Sequence, residues 1–372
     1  MPHGAASEVW VYVGAYAPSP HDGIYICRFD ARTGRLEIHG SAGGTDHPSF
    51  LAVDPANDRL YAVNEIGEFQ GEPAGYVAAF AIGPGGGLRL LGKRSSKGRS
   101  PCYIEAARGG SCVLVANYMG GNVAVLPAAE EAGLGEAASV AFHRGSGARP
   151  DRQEGPHPHA AVADPFGRFV LAPDLGADEV RIYRLTDSLR LVPHDPPGAR
   201  LPAGSGPRHL AFHPSGRFAY LVCELDSTVT VFHWLAEEGR LDPFQTVSTL
   251  PGGARPEENA AADIHAHPSG RFLYASNRGR DSLAVYRIDG EDGRLEFLGH
   301  VSSGGRTPRN FAIDPAGRFL LAANQDSRDI AVFRVDPERG ELTPAGDPVS
   351  MPHPPACVRF GGPVGAGEAG GR

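Results

Sequence analysis

One unit recurs along the chain, and its recurrence constrains the fold more than any other feature. It reads HPSFLAVDPANDRLYAVNE at 47–65, HPHAAVADPFGRFVLAPDL at 157–175 and PRHLAFHPSGRFAYLVCEL at 207–225. It returns as ADIHAHPSGRFLYASNR at 262–278 and PRNFAIDPAGRFLLAANQ at 308–325. A looser copy, SPCYIEAARGGSCVLVANY, covers 100–118, and a truncated one, HPPACVRF, covers 353–360. From Pro48 to Pro354, six steps over 306 residues give a mean period of 51. A period of that size belongs to stacked structural repeats.

Each unit holds a short apolar run, a DPxGRF or HPSGRF turn and a second apolar strand. In the turn, proline presets φ and glycine supplies a positive one. A third segment alternates, as in NVAVLP, EVRIYRL, TVTVFHW, LAVYRI and IAVFRV, and a fourth follows a Gly-Arg-Leu or Gly-Glu-Leu turn. Alternation with period two marks strands, and no helical apolar period of useful length appears. Four short strands per repeat describe a propeller blade. The chain ends on a first-strand copy and begins with VWVYVGAY, GIYICRFD and GRLEIHG, which lack one. The expected architecture is therefore an all-β, seven-bladed propeller of four antiparallel strands per blade, closed by a blade built from both termini. It forms one domain over 1–360, with 361–372 expected to be a disordered tail for want of core-forming residues.

Composition narrows the function classes. The 50 glycines and 33 prolines are spread along the chain, as a turn-rich repeat requires. The net charge of −8 and the absence of a Lys/Arg run argue against nucleic-acid binding. No stretch approaches the length of a membrane span, and the N-terminus lacks the basic-then-apolar order of a secretory signal. Five scattered cysteines without CxxC spacing read as reduced thiols. A cytoplasmic protein, monomeric or weakly homo-oligomeric, without membrane or nucleic-acid partners, is expected. No GxSxG, HExxH, Walker A or post-strand GxGxxG motif occurs.

In a propeller the first strand of each blade lines the central channel, so equivalent positions face one another across it. The position six residues before the turn proline (Pro55, Pro165, Pro214, Pro268, Pro315) holds Ser49, His159, Arg208, Ala262 and Arg309, with Cys102 from the loose repeat. An imidazole and two guanidiniums are not a packing solution. A second column, at the end of the second strand, reads Asn64, Asn117, Asp174, Glu224, Asn277 and Asn324. Asparagine there ties strand ends to backbone groups, and Glu224 departs from it. The next position reads Glu65, Tyr118, Leu175, Leu225, Arg278 and Gln325, with Arg278 its only cation. His159, Arg208, Glu224, Arg278 and Arg309 thus make an anion-binding pocket, since the planar fork of arginine suits carboxylate or phosphate. The arginines would repel a divalent cation, so no metal is expected. His213 and His267 replace Asp in the turn and read as structural. His209 and His265 lie outside the cationic column and read as supporting residues. Arg168, Arg217, Arg271 and Arg318 recur in every RF turn and read as scaffold.

From VYVGAYAPSPHDGIYICRFD to HPPACVRF the sequence resembles the lactonase family of seven-bladed β-propellers, which includes 6-phosphogluconolactonases and carboxy-cis,cis-muconate cyclases. Its most specific segment is GSGARPDRQEGPHPHA (145–160), supported by ANYMGGNVAVLP (116–127) and SNRGRDSLAVYRID (276–289). The resemblance implies hydrolysis of a small anionic lactone, above all 6-phospho-D-glucono-1,5-lactone of the pentose phosphate pathway, without metal or organic cofactor. It puts catalysis on His159, Arg208, Glu224 and Arg278, with Glu224 or His159 as general base and the arginines on oxyanion and phosphate. Arg309, His157, Asn277, Asn324 and Arg152 are the expected substrate contacts. A muconate-cyclase-like reversible lactonisation would use the same clamp, and a non-catalytic binding scaffold is the third reading. In RQEGPHPHA, His157 fills the slot before the unit-opening proline and reads as mainly structural. His159 carries the chemistry.

Overall fold

A computed structural model describes residues 8–54 and 58–364. It contains seven antiparallel sheets arranged as a propeller. The innermost strands are Pro48–Asp54, Pro101–Ala107, Val162–Ala163, Pro207–Phe212, Ala260–Ala266, Pro308–Ile313 and Pro355–Pro363. Each pairs outward with the next strand of its blade. In two blades the outer edge is split into two short segments that both pair with the third strand. The only helical elements among the described residues are two 3₁₀ turns, Arg108–Gly110 and Pro256–Glu258.

Ring closure joins the termini. Pro355–Pro363 pairs antiparallel with Glu8–Ala15, which continues into Ile24–Asp30 and Leu36–Ala42. Gly361, Gly362 and Pro363, expected in the tail, belong to the last strand, because pairing extends to Pro363 opposite Val9. Backbone groups make that pairing, so the lack of apolar side chains did not end the strand. Residues 365–372 of the expected tail, and the turn proline Pro55, lie outside the described residues.

The core sits between neighbouring blades. Leu171 and Ile182 of one sheet pack with Leu221, Phe232 and Trp234 of the next, all at most 4% exposed. The second strand of each blade is covered on both sides, as in Phe319–Asn324, where every residue is buried. The repeated turns are fastened by side chains. Asp164 Oδ1 accepts hydrogen bonds from the backbone N–H of Arg168 at 2.6 Å and of Phe169 at 2.7 Å. Gly167 takes φ 67° there, a region glycine enters without strain. His213 and His267 do the same work in their turns, and their Nε2 atoms reach Gly270 O at 2.9 Å and Gly317 O at 2.7 Å in the next blade. The RF arginines also cross between blades, Arg168 to Ala236 O and Arg217 to Gly290 O, both at 2.8 Å.

Candidate active site

The first column lies on a break in the strands. In six blades the pairing register slips just after the start of the innermost strand, at Ser49, Cys102, Arg208, Ala262–Asp263, Arg309 and Ala356. In the seventh blade the register shifts by one between the Pro158↔Asp174 bridge and the Val162↔Leu171 pair, and His159 lies in that stretch. A β-bulge re-aims one side chain relative to the pleat. One local device, repeated around the ring, therefore delivers the column residues to a common axis.

The second column needs a correction. Pro207 pairs with Cys223 as Pro48 pairs with Asn64 and Pro308 with Asn324. Cys223, not Glu224, thus occupies the asparagine position. Glu224 belongs one residue on, where the backbone N–H reaches back to the residue before the innermost strand. Glu224 N to Gly206 O, Glu65 N to His47 O, Tyr118 N to Ser100 O and Tyr16 N to Pro354 O are the same bond in different blades. The true column is Tyr16, Glu65, Tyr118, Leu175, Glu224, Arg278 and Gln325. Counting six residues on from the phenylalanine of the RF turn identifies Glu224, so the signal was present. A one-residue slip in that repeat hid it, along with the roles of Tyr16, Glu65 and Tyr118.

At the centre, Glu224 receives three guanidiniums. Its Oε2 lies 2.9 Å from Arg208 Nε and 2.7 Å from Arg278 Nη2, and its Oε1 lies 2.5 Å from Arg152 Nη2. Arg208 Nε approaches without aligning as a hydrogen bond, so that contact is an ion pair. Arg208 is 2% exposed and Glu224 4%. Burial alone would raise the Glu224 carboxyl, but Arg278 and Arg208, with His159 and Arg152, hold it well below the usual carboxylate range. Burial lowers the Arg208 guanidinium to about 10, which leaves it charged at neutral pH. Arg208 Nη1 donates to Ala262 O, and Arg278 Nε to Ala260 O at 3.2 Å. Arg208 Nη2 and Arg278 Nη1 have no protein acceptor among the described residues and can meet an oxygen that gains negative charge.

His159 stands beside this group, 5% exposed, with Nδ1 3.7 Å from Cys102 Sγ. Its ring meets those of Tyr118 and His209 edge-on at 5.5 and 5.3 Å. Burial, then Arg208 and His209, push its pKa well below the ordinary imidazole value, against the pull of Glu224. The ring is therefore neutral and able to accept a proton. Burial likewise raises the neighbouring Cys102 thiol, so it stays protonated.

Beneath them, Asp263 Oδ1 accepts from His209 Nδ1 at 2.8 Å, and His209 Nε2 faces Arg208 Nη1 at 3.4 Å. Burial and Arg208 lower His209 to about 4 despite Asp263. The hydrogen-bond pattern thus assigns the proton to Nδ1 and the lone pair to the arginine. Asp263 Oδ2 also takes His265 Nε2 at 3.0 Å and Asn310 Nδ2 at 2.5 Å. His209, read as a supporting residue, buttresses Arg208, and Asp263 is a missed member of the site.

The other expected contacts divide. Arg152 caps Glu224 from the solvent side. Arg309 lies over Tyr16, its guanidinium carbon 5.4 Å from the ring centroid. His157 is committed to the protein: Nδ1 lies 3.0 Å from Tyr118 O, Nε2 3.1 Å from Glu154 Oε1, and the ring stacks on Tyr118 at 4.4 Å. Asn277 and Asn324 are fully buried strand-end ties, Nδ2 donating to Thr249 O at 2.7 Å and to Ser303 O at 3.0 Å. They and His157 are held by protein groups, and the Oδ1 of Asn324, which has no hydrogen-bond partner, is buried away from the surface. No set of three or more His, Cys, Asp or Glu among the described residues is placed to hold a metal ion. No helix among them is long and apolar enough to cross a membrane.

Residues 10–360 match the family model described as Lactonase, 7-bladed beta-propeller. The chain belongs to this family. Among lactonase-family relatives, a 6-phosphogluconolactonase of Bacillus subtilis is 35% identical over 350 residues, covering 94% of this chain and 97% of its own. A putative 6-phosphogluconolactonase from Bacteroides fragilis superposes with a TM-score of 0.88 at 34% identity, covering 97% of this chain and 99% of that one. The periplasmic gluconolactonase PpgL of Pseudomonas aeruginosa superposes with a TM-score of 0.87 at 35% identity, covering 95% and 99%.

Proposed function

We propose that this lactonase-family protein hydrolyses a phosphorylated sugar lactone, with 6-phospho-D-glucono-1,5-lactone as substrate and 6-phosphogluconate as product. The observation that carries the reading is the placement of a buried imidazole, His159, beside guanidiniums that Glu224 fixes in place. Hydrolysis of an ester carbonyl needs a base for water and a cationic partner for the oxyanion.

His159 takes a proton from a water molecule, whose oxygen attacks the lactone carbonyl carbon. The carbonyl π electrons move onto oxygen, where Arg208 and Arg278 stabilise the charge. Collapse re-forms the carbonyl and breaks the bond to the ring oxygen, which leaves with the proton held by His159. The acid formed then loses its own proton to solvent. Glu224 is the weaker candidate for base, because three cations claim its lone pairs. Its role is to hold the guanidiniums at fixed spacing, so that little reorganisation is needed as charge develops. Asp263 and His209 are positioning residues acting through Arg208. The protein works in the cytoplasm, in keeping with five free cysteines that are all buried.

The test is the rate of 6-phosphogluconolactone hydrolysis by purified protein against the spontaneous reaction, with and without EDTA. Acceleration that survives EDTA is expected. Absence of acceleration removes the assignment.

A further inference from the structure

Three of the guanidiniums at the channel mouth share Glu224, but Arg309 does not. It sits on the bulge of the Pro308–Ile313 strand, in the same column as Arg208. Among the described residues no carboxylate oxygen lies within 4 Å of it, and no protein acceptor takes a hydrogen bond from it. Its aromatic partner is the ring of Tyr16, 5.4 Å from the guanidinium carbon, and Glu65 and Glu224 act on it only at longer range. That ring is itself pinned, since Tyr16 Oη donates to Glu65 Oε2 at 2.8 Å. Arg309, Tyr16 and Glu65 come from three consecutive blades, so the arrangement is built by the ring as a whole.

A guanidinium held over an aromatic face by a cation–π contact uses none of its N–H groups there, which leaves them free to form two parallel bonds to an oxyanion. Glu65 and Glu224 favour the charge of Arg309 without touching it, so its N–H groups remain available for direct pairing with a bound anion. The ligand's chemistry follows from the reaction class. In a sugar lactone the carboxyl group is masked as an ester, so any anion the substrate brings must be a substituent. In an aldonolactone phosphorylated on the exocyclic carbon, that substituent is separated from the reacting carbonyl by the ring oxygen. The carbonyl belongs with Arg208, Arg278 and His159, and the substituent is left for Arg309.

We propose that Arg309, seated on Tyr16 with Glu65 behind the ring, is a phosphate subsite separate from the Glu224-bound arginines, and that it sets the preference for phosphorylated over neutral lactones. The inference rests on the lactonase reading above. It is tested by measuring kcat/KM of wild type and Arg309→Met on 6-phosphoglucono-1,5-lactone and on glucono-1,5-lactone. The expected result is a loss about ten- to a hundredfold greater on the phosphorylated substrate, the range for one charged hydrogen-bonding group. Arg309→Lys, which keeps the charge and loses the fork, should lie between the two and also serves if the methionine variant is unstable. Equal losses on both substrates, or none on either, overturn the subsite. In parallel, calorimetry compares 6-phosphogluconate with gluconate, and the affinity gap in wild type should shrink in Arg309→Met. If wild type hydrolyses neither lactone, the lactonase reading falls while this binding pair still decides the subsite. An affinity gap that is absent in wild type, or unchanged in the variant, refutes it.

Discussion

Arg208 Nε and Glu224 Oε2 lie 2.9 Å apart, one on the bulge of an innermost strand, the other just past the end of the next strand in the same blade. Both are nearly inaccessible to solvent. The pair joins the two columns that build the site, and it also carries a large desolvation penalty that its own attraction, with Arg278 and Arg152 on the same carboxylate, offsets.

Removing the charge while keeping the shape isolates this effect. Glu224→Gln leaves Arg208, Arg278 and Arg152 without their shared counter-ion. Steady-state kinetics should show kcat/KM down by about a hundredfold or more. Thermal unfolding should show a loss on the order of 3–5 kcal/mol, the usual effect of breaking a buried ion pair from one side. A variant with wild-type turnover would displace Glu224 from the site.

His159→Gln should lower kcat by about 10²- to 10⁴-fold, the ordinary contribution of a positioned base. The wild-type pH profile carries a sharper signature. Burial, Arg208 and His209 disfavour the protonated ring, so His159 remains a competent base as pH falls through the ordinary imidazole range. The acid limb of kcat/KM, corrected for spontaneous hydrolysis, should therefore lie below pH 6.5 and be absent in the variant. An acid limb at or above that value would mean another group is the base.

Much of this was legible in the sequence because the repeat carries its own ruler. The turn prolines and RF pairs give blade number, ring closure and the first column, since each bulge follows a fixed count from the turn. The second column was less secure. In the repeat containing LVCEL, Glu224 looks like a substitute for asparagine until Pro207 is seen opposite Cys223. Asp263 was hidden for a different reason. It is the second residue of a bulge that admits two, Ala262 and Asp263, and strict alternation would point only one of them at the axis. For Asn277 and Asn324 the sequence leaves two readings open, because a strand-end amide looks alike whether it ties backbone or meets a ligand.

Asp263→Asn tests whether the His209 tautomer matters. Asparagine cannot accept through its nitrogen, and Asp263 takes bonds from His209, His265 and Asn310 as well as from backbone N–H groups. A kcat loss of about tenfold with little change in KM is expected, since His209 acts through Arg208 and not on substrate. Imidazole ¹⁵N shifts should show His209 leaving the Nδ1–H form. Reduced thermal stability with unchanged kcat and tautomer would assign Asp263 to scaffold alone.

Glu105, elsewhere in the channel wall, offers a stability test apart from catalysis. It accepts from Ala163 N at 3.0 Å and Tyr103 Oη at 3.1 Å, near Arg359. Burial nevertheless pushes its carboxyl up to about 7. A raised carboxyl pKa means the unfolded chain releases its proton first. The resulting destabilisation is absent below the unfolded value near 4.5, grows as pH rises, and is complete above 7. The melting temperature of Glu105→Gln relative to wild type should therefore climb between pH 4.5 and 7 and then level off. A difference that stays flat across that range would show the carboxyl to be unperturbed.

The most direct test of the catalytic assignment is a side-by-side initial-rate measurement of wild type and Arg208→Ala on freshly prepared 6-phosphoglucono-1,5-lactone, with spontaneous opening subtracted. Wild type should exceed background clearly, and the variant should fall by about a hundredfold or more while remaining folded by circular dichroism. A folded Arg208→Ala protein that opens the lactone as fast as wild type would contradict the placement of the active site at the channel mouth.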